Sequence, residues 1–379
     1  MKRVAVTGFG MIDACGNNPI TCFENVISDR DFSVSPKDIF TPAFDEACRT
    51  KSVLIPDINT IVIDDKHRTK FMPRHMLYGL HALEQALEMS KVKMSPKVGV
   101  FLSKLSHNEG DYEAAITSKI SPLRAVNVPN DALASYVSQY YKFTGQNTGL
   151  HAACATGLAT IDFGMKVVDN YDFVVVGGTD SGINNMDIAL FSYLKALGSK
   201  SMPFDENRDG FIMGEGSGVL ILESEEKAIN RGANVLAWLY EAGHASDAFN
   251  RTSPSGEGAK SSMLDAIYAG DFPDAINAHG TSTPIGDKVE YECITEIIPN
   301  TPIYSVKGKI GHTLAAAGVL ETIYSIISMK ESIIPPCHNT RVPAFDVVTK
   351  PTRGDYSRTL NNSFGFGGKC ISQIIEIVK

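Results

Sequence analysis

The chain has 379 residues, 43% of them hydrophobic, and a net charge of -8. That apolar fraction is ample for a large core, and the length points to two or three domains. The acidic balance argues against a nucleic-acid partner, and no apolar run reaches the ~18 residues of a membrane span. A soluble, cytoplasmic protein is the expectation.

MKRVAVTGFGMIDACG opens the chain with two basic residues and a short apolar run broken by glycines. It reads as a strand entering a turn rather than as a signal peptide. RVAVTGFG at 3–10, KVGVFLS at 97–103, DFVVVGGTD at 172–180 and GVLILESEE at 218–226 are near-continuous in Val, Ile and Leu. Such runs are strands buried on both faces. Between them, 71–90 sets Leu77, Leu80, Leu83 and Leu87 on one helical face, and GLATIDFGMKVVDN from Gly157 reads similarly. Residues 34–62 lack a period and read as loops with short helices.

The second half repeats the plan. The stretches 235–246, 274–283, 301–312 and 363–378 each join an apolar run to a small-residue turn, and 318–332 is helical in pattern. Polar KAINRGAN at 227–234 marks a seam, giving halves 1–230 and 231–379. Strands alternating with helices predict an α/β protein. The repeat lies in the order of elements, not in residue identity.

Two glycine-rich stretches fail as nucleotide motifs. TGFGMIDACG has Asp13 where G-x-G-x-x-G needs its third glycine, and SFGFGGKC has Ser363 and Cys370 at defining P-loop positions. The seven cysteines are irregularly spaced without C-x-x-C, and no histidine pair has metal-ligand spacing, so no metal site is expected.

Cys154 sits in HAACATGLAT, after a strand end and before a helix. A free cysteine is by default a small buried hydrophobe. At a helix N-terminus, however, unpaired N–H groups and the dipole favour a thiolate and can hold an oxyanion. Ala153, Ala155 and Gly157 would keep the approach to the sulfur open. His151 is expected to be a satisfied structural histidine. His279, in INAHGTSTPIGDKVE, and His312, in SVKGKIGHTLAAAG with Lys307 five residues before it, occupy strand-to-helix turns. A lone histidine in a turn is usually structural. Three such turns can meet at one sheet edge, where α/β proteins place their sites. A thiolate that accepts an acyl group, two imidazoles that stabilise an enolate and a nearby lysine fit carbon–carbon bond-forming acyl transfer.

RVAVTGFGMI, ACATG, PFDENRDGFIMGEGSGVLILE, NAHGTSTPIGDKVE, KGKIGHTLAAAGVLE and NSFGFGG, in this order, resemble the elongating β-ketoacyl-acyl-carrier-protein synthases of the thiolase superfamily. The resemblance implies a thiolase-like fold of two pseudo-equivalent halves in a five-layered α-β-α-β-α sandwich. It implies decarboxylative condensation of an acyl group on Cys154 with malonyl thioester, with His279 and His312 completing the triad. Lys307, paired with Glu321, would orient the site. The N–H groups of Cys154 and Phe366 would form the oxyanion hole, with Phe366 gating and Phe191 its partner on the acyl side. Thr281 and Thr283 would hold the phosphopantetheine arm, and Lys66, Arg68 and Lys70 would contact an acidic acyl carrier protein. No cofactor is implied beyond the carrier-borne arm. The chain would pair with itself or with a homologous chain-length factor.

Gly308 stands where the family has serine after the lysine, and Lys369 and Cys370 replace a Thr-Asn pair. Both departures would fall in the active-site shell. They point towards a specialised polyketide or polyene pathway rather than housekeeping fatty-acid elongation. The alternatives are a non-catalytic scaffold or chain-length partner, and a biosynthetic thiolase with Cys370 as its second cysteine.

Overall fold

The valine-rich runs are strands at the centre of the molecule. A computed structural model describes residues 2–34, 53–61, 63, 72–107 and 125–378. The strands of the first half are β1 (Arg3–Ile12), β2 (Val98–Ser103), β3 (Asn147–Thr148), β4 (Phe173–Asp180) and β5 (Gly216–Ser224). Those of the second are β6 (Ala237–Tyr240), β7 (Gly243–Ser246), β8 (Ala275–Asn277), β9 (Ile303–Tyr304), β12 (Arg358–Gly365) and β13 (Lys369–Ile377). Ile333–Ile334 (β10) and Thr352–Arg353 (β11) form a separate pair. Helices of six residues or more are α1 (Pro19–Val26), α2 (Arg74–Ser90), α3 (Ala132–Tyr141), α4 (Thr156–Val167), α5 (Asn185–Tyr193), α6 (Glu225–Asn230), α7 (Glu257–Gly270), α8 (Pro284–Ile297) and α9 (Ala317–Glu331).

The strands run in the order β3-β2-β4-β5-β1-β6-β13-β12-β8-β9, with β7 on β13. This order has the same logic from either end. In one half β3, β2 and β4 are parallel, and β5 and β1 follow antiparallel. In the other β9, β8 and β12 are parallel, and β13 and β6 follow antiparallel. The halves join where β1 pairs with β6. α4 and α9 pack on each other and on strands of both halves. α2 and α3 cover the outside of one half, and α7, backed by α8, covers the other. The resulting succession is helix, sheet, helix, sheet, helix. Every residue of β4 and β5 is buried, which is why these strands read as unbroken apolar runs rather than alternating ones.

The glycines of TGFG serve packing. A Cβ on Gly8 would lie 2.2 Å from the Ala86 carbonyl, and one on Gly10 2.0 Å from that of Ala82. α2 therefore rests directly on the β1 backbone. Gly157 has the same purpose between the central helices. A Cβ there would lie 2.9 Å from both the Ala315 carbonyl and the Val319 nitrogen. Its smallness lets α9 seat on α4, rather than keeping an approach open to Cys154.

Gly157→Val forces those helices apart. Overpacking of this kind costs about 2–3 kcal/mol, and chemical denaturation should show a lower unfolding midpoint. An unchanged midpoint would contradict the close packing.

Candidate active site

The start of α4 is made by three small residues and one hydroxyl. Ala153 takes a left-handed conformation, φ 49°, in a residue type that rarely adopts it. Thr156 holds this turn: its hydroxyl accepts from the Ala152 N–H at 2.9 Å and donates to the Ala153 carbonyl at 2.6 Å. Cys154 follows, 7% exposed, immediately before the helix. Its own N–H and that of Phe366 favour the charged form of the sulfur. Gly365 permits this. A Cβ there would lie 2.8 Å from the Ala152 carbonyl and 3.2 Å from the Cys154 nitrogen.

Dipole and N–H groups do not produce a resting thiolate. Burial pushes the Cys154 thiol up to about 11, against the opposing pull of Lys307 and the two N–H groups. The resting sulfur is protonated, contrary to the expectation from its position at the helix start.

His279 follows β8. Its N–H and that of Gly280 donate to the two oxygens of Glu290, both at 2.8 Å. Asn362 also donates to Glu290, at 3.1 Å. This buried carboxylate locks the turn that presents the imidazole, although sequence reasoning assigned it no role. The available signal was an acid on the buried stripe of α8, beside Asp287, Cys293 and Ile294.

His312 is held through its backbone by FIMGEG. Its N–H donates to the Ile212 carbonyl at 2.9 Å, and its carbonyl accepts from Gly214 at 3.0 Å. Asp180, closing β4, accepts from Ala315 at 3.0 Å and from the Leu105 and Ser106 N–H groups. It braces the turn after His312 and was likewise missed. A carboxylate ending an apolar strand was its signal.

The two rings meet at 85° with centroids 5.5 Å apart. Lys307, 1% exposed, forms an ion pair with fully buried Glu321 and lies 3.5 Å from His279 Nδ1. The Leu314 N–H donates to His312 Nδ1 at 3.3 Å. Both partners can only donate, so each neutral ring carries its proton on Nε2. His312 Nε2 is buried without a hydrogen-bond partner among the described residues. Burial, reinforced by Lys307, pushes both imidazoles well below their usual range, so they are neutral near pH 7.

A cavity of about 490 Å³ brings Cys154, His279, His312, Phe366, Thr281 and Thr283 together. The two threonine hydroxyls are 3.1 Å apart. Phe191 and Phe366 pack in one apolar cluster with Ile183, Ile188 and Leu314, and Phe191 makes an edge contact with Phe211 at 5.4 Å. Lys66, Arg68 and Lys70 lie outside the described residues. His151 is exposed and makes no hydrogen bond to a described residue, so it is not a satisfied structural group. Among the described residues no cluster of three His, Cys, Asp or Glu side chains could hold a metal ion.

The departures at Gly308 and Cys370 resolve differently. Gly308 does not line this cavity. A Cβ there would lie 2.5 Å from the His338 carbonyl, and Asn339 donates to the Gly308 carbonyl at 2.9 Å. The glycine admits this neighbouring chain rather than enlarging the substrate space. Cys370 does line the cavity, with its thiol pushed up to about 12 by burial.

Alkylation of Cys154 by iodoacetamide, followed by mass spectrometry of its peptide, should accelerate with pH up to about 11. Only the thiolate reacts. A rate already flat at pH 8 would contradict the burial of the thiol.

The description "Beta-ketoacyl synthase, N-terminal domain" matches residues 1–228, and "Beta-ketoacyl synthase, C-terminal domain" matches 236–341. The chain is 31% identical over 404 aligned positions to 3-oxoacyl-[acyl-carrier-protein] synthase 2 of Staphylococcus aureus (strain COL), covering 97% of this chain and 96% of that protein. A solved beta-ketoacyl synthase from Burkholderia phymatum STM815 superposes over the whole of both chains with a TM-score of 0.90 at 26% identity. The ishigamide ketosynthase/chain length factor superposes over the whole of both chains with a TM-score of 0.90 at 24% identity. The sandwich of two mirrored half-sheets is thus the thiolase-like fold of the ketosynthases, and the chain belongs to the beta-ketoacyl synthase family.

Proposed function

We propose that the chain condenses an acyl group held on Cys154 with a malonyl group carried by acyl carrier protein, releasing carbon dioxide and 3-oxoacyl carrier thioester. The observation that carries this reading is one cavity lined by Cys154, His279 and His312, with a hydrogen-bond donor at the Nδ1 of each imidazole.

In the first half-reaction the Cys154 sulfur attacks the acyl thioester carbonyl. The tetrahedral oxyanion is held by the N–H groups of Cys154 and Phe366. Collapse expels the pantetheine thiolate, and the cysteine proton is transferred overall to that leaving thiol. The exchange of one thioester for another needs no net proton, which suits a thiol that is protonated at rest.

In the second half-reaction His279 and His312 donate from Nε2 to the malonyl thioester oxygen. The carbon–carboxylate bond breaks, carbon dioxide leaves, and the electron pair becomes an enolate held by the two N–H donors. Its carbon attacks the acyl carbonyl, the same oxyanion hole holds the new tetrahedral centre, and Cys154 departs as a thiolate that takes one proton from solvent to restore the resting thiol. Lys307, fixed by Glu321, keeps His279 Nδ1 an acceptor and is a positioning residue. Thr281 and Thr283 line the path of the pantetheine arm. The apolar packing of Phe366 with Phe191 supports a gate between that path and an acyl pocket. The neighbour named as a ketosynthase/chain length factor supports a second ketosynthase-like chain as partner, either another copy or a homologue. Sedimentation of the chain purified alone separates the two.

The wild type, given acyl and malonyl carrier thioesters, should release carbon dioxide and form 3-oxoacyl thioester. Cys154→Ala should form no condensation product yet still release carbon dioxide. His312→Ala should lose decarboxylation about 10²–10³-fold, the cost of one oxyanion-type donor. Full condensation by Cys154→Ala would refute the reading.

A further inference from the structure

The cavity is lined by two cations, Arg251 and Lys195. Both are exposed, and neither makes an ion pair or side-chain hydrogen bond with a described residue. The acids lining the same space are engaged. Asp209 accepts from the Ser199 N–H at 3.0 Å. Asp247 accepts from the Ser255 N–H at 2.7 Å, its hydroxyl at 2.7 Å and the Gly258 N–H at 3.0 Å. Asp287 accepts from the Phe204 N–H and faces Arg208, and Glu290 binds the His279 turn. Asp209 and Asp247 keep their charge, but their oxygens are occupied by N–H and O–H donors, whereas the two cations have N–H groups to offer an incoming anion.

Arg251 is also fixed in place. Its carbonyl accepts from the Gly367 N–H at 2.8 Å, one residue beyond Phe366. Asn250 caps the turn through the Thr252 and Ser253 N–H groups at 2.9 and 3.2 Å. The guanidinium therefore projects from a short braced turn tied to the loop that supplies the oxyanion N–H.

We propose that Arg251 binds the phosphodiester of the carrier-borne pantetheine arm as it enters the cavity, with Lys195 a second and weaker contact. This rests on the condensing reading of the site. The thiol end of the arm must reach Cys154, so the phosphate stays at the rim, where an exposed guanidinium can meet it bidentately. The malonyl carboxylate is a poorer match, because it must lie deep in the cavity beside the two buried imidazoles.

The test is protection of Cys154 against iodoacetamide by the S-methyl thioethers of phosphopantetheine and of pantetheine, which differ only in the phosphate and carry no free thiol to consume the reagent. Wild type should bind the phosphopantetheine thioether about tenfold more tightly, as expected for a charge-assisted pair partly screened by solvent. Arg251→Ala should bring the ratio close to one, Arg251→Lys should retain part of it, and Lys195→Ala should reduce it less. Equal binding of both compounds by the wild type, or an unchanged ratio in Arg251→Ala, would overturn the proposal. This readout needs no turnover. If the ratio behaves as expected but no 3-oxoacyl thioester forms, the condensing reading fails while the phosphate site stands.

Discussion

The chemistry depends on where two protons sit. An imidazole in this cavity assists decarboxylation only if the nitrogen facing substrate carries hydrogen. Lys307 at His279 Nδ1 and the Leu314 N–H at His312 Nδ1 are donors that cannot accept. They force both protons onto Nε2. Burial keeps the rings neutral, so in the proposed reaction they give hydrogen bonds to a developing enolate while introducing no charge of their own. Glu321 compensates the buried lysine, and Glu290 and Asp180 fix the turns.

The fold produces this arrangement through its repeat. α4 follows β3 and leads into β4, and α9 occupies the corresponding place between β9 and β12. Cys154 stands at the start of α4, and the His312 turn precedes α9. The two helices pack together at the centre, so Cys154 and the His312 imidazole arrive from equivalent positions in the two halves. His279 comes from the end of β8, the parallel neighbour of both β9 and β12. No long loop has to deliver any of these three side chains.

Much of this was legible in the sequence. Runs such as FVVVGGTD could only be strands covered on both faces, and the ordered motifs pointed to Cys154, His279, His312, Lys307 and Glu321, which the structure groups around one site. Other features depended on distant contacts. TGFG gives no hint that Ala82 and Ala86 of α2 press on its glycines. Gly308 looked like a change in the substrate space, and only the path of His338 and Asn339 shows otherwise. The helix start promised a thiolate at Cys154, but the degree of burial that reverses this is a property of the whole core. Glu290 and Asp180 carried a weak signal, an acid where an apolar residue was due. Arg251 carried none, because an unpaired cation becomes visible only when its neighbours are known.

The most direct measurement is nitrogen-15 NMR of histidine-labelled protein, with His279 and His312 assigned from single-residue variants. The account predicts that both rings show the neutral pattern with the proton on Nε2 at pH 7, unchanged on lowering the pH to 6. An imidazolium at either position, or a proton on Nδ1, would contradict it.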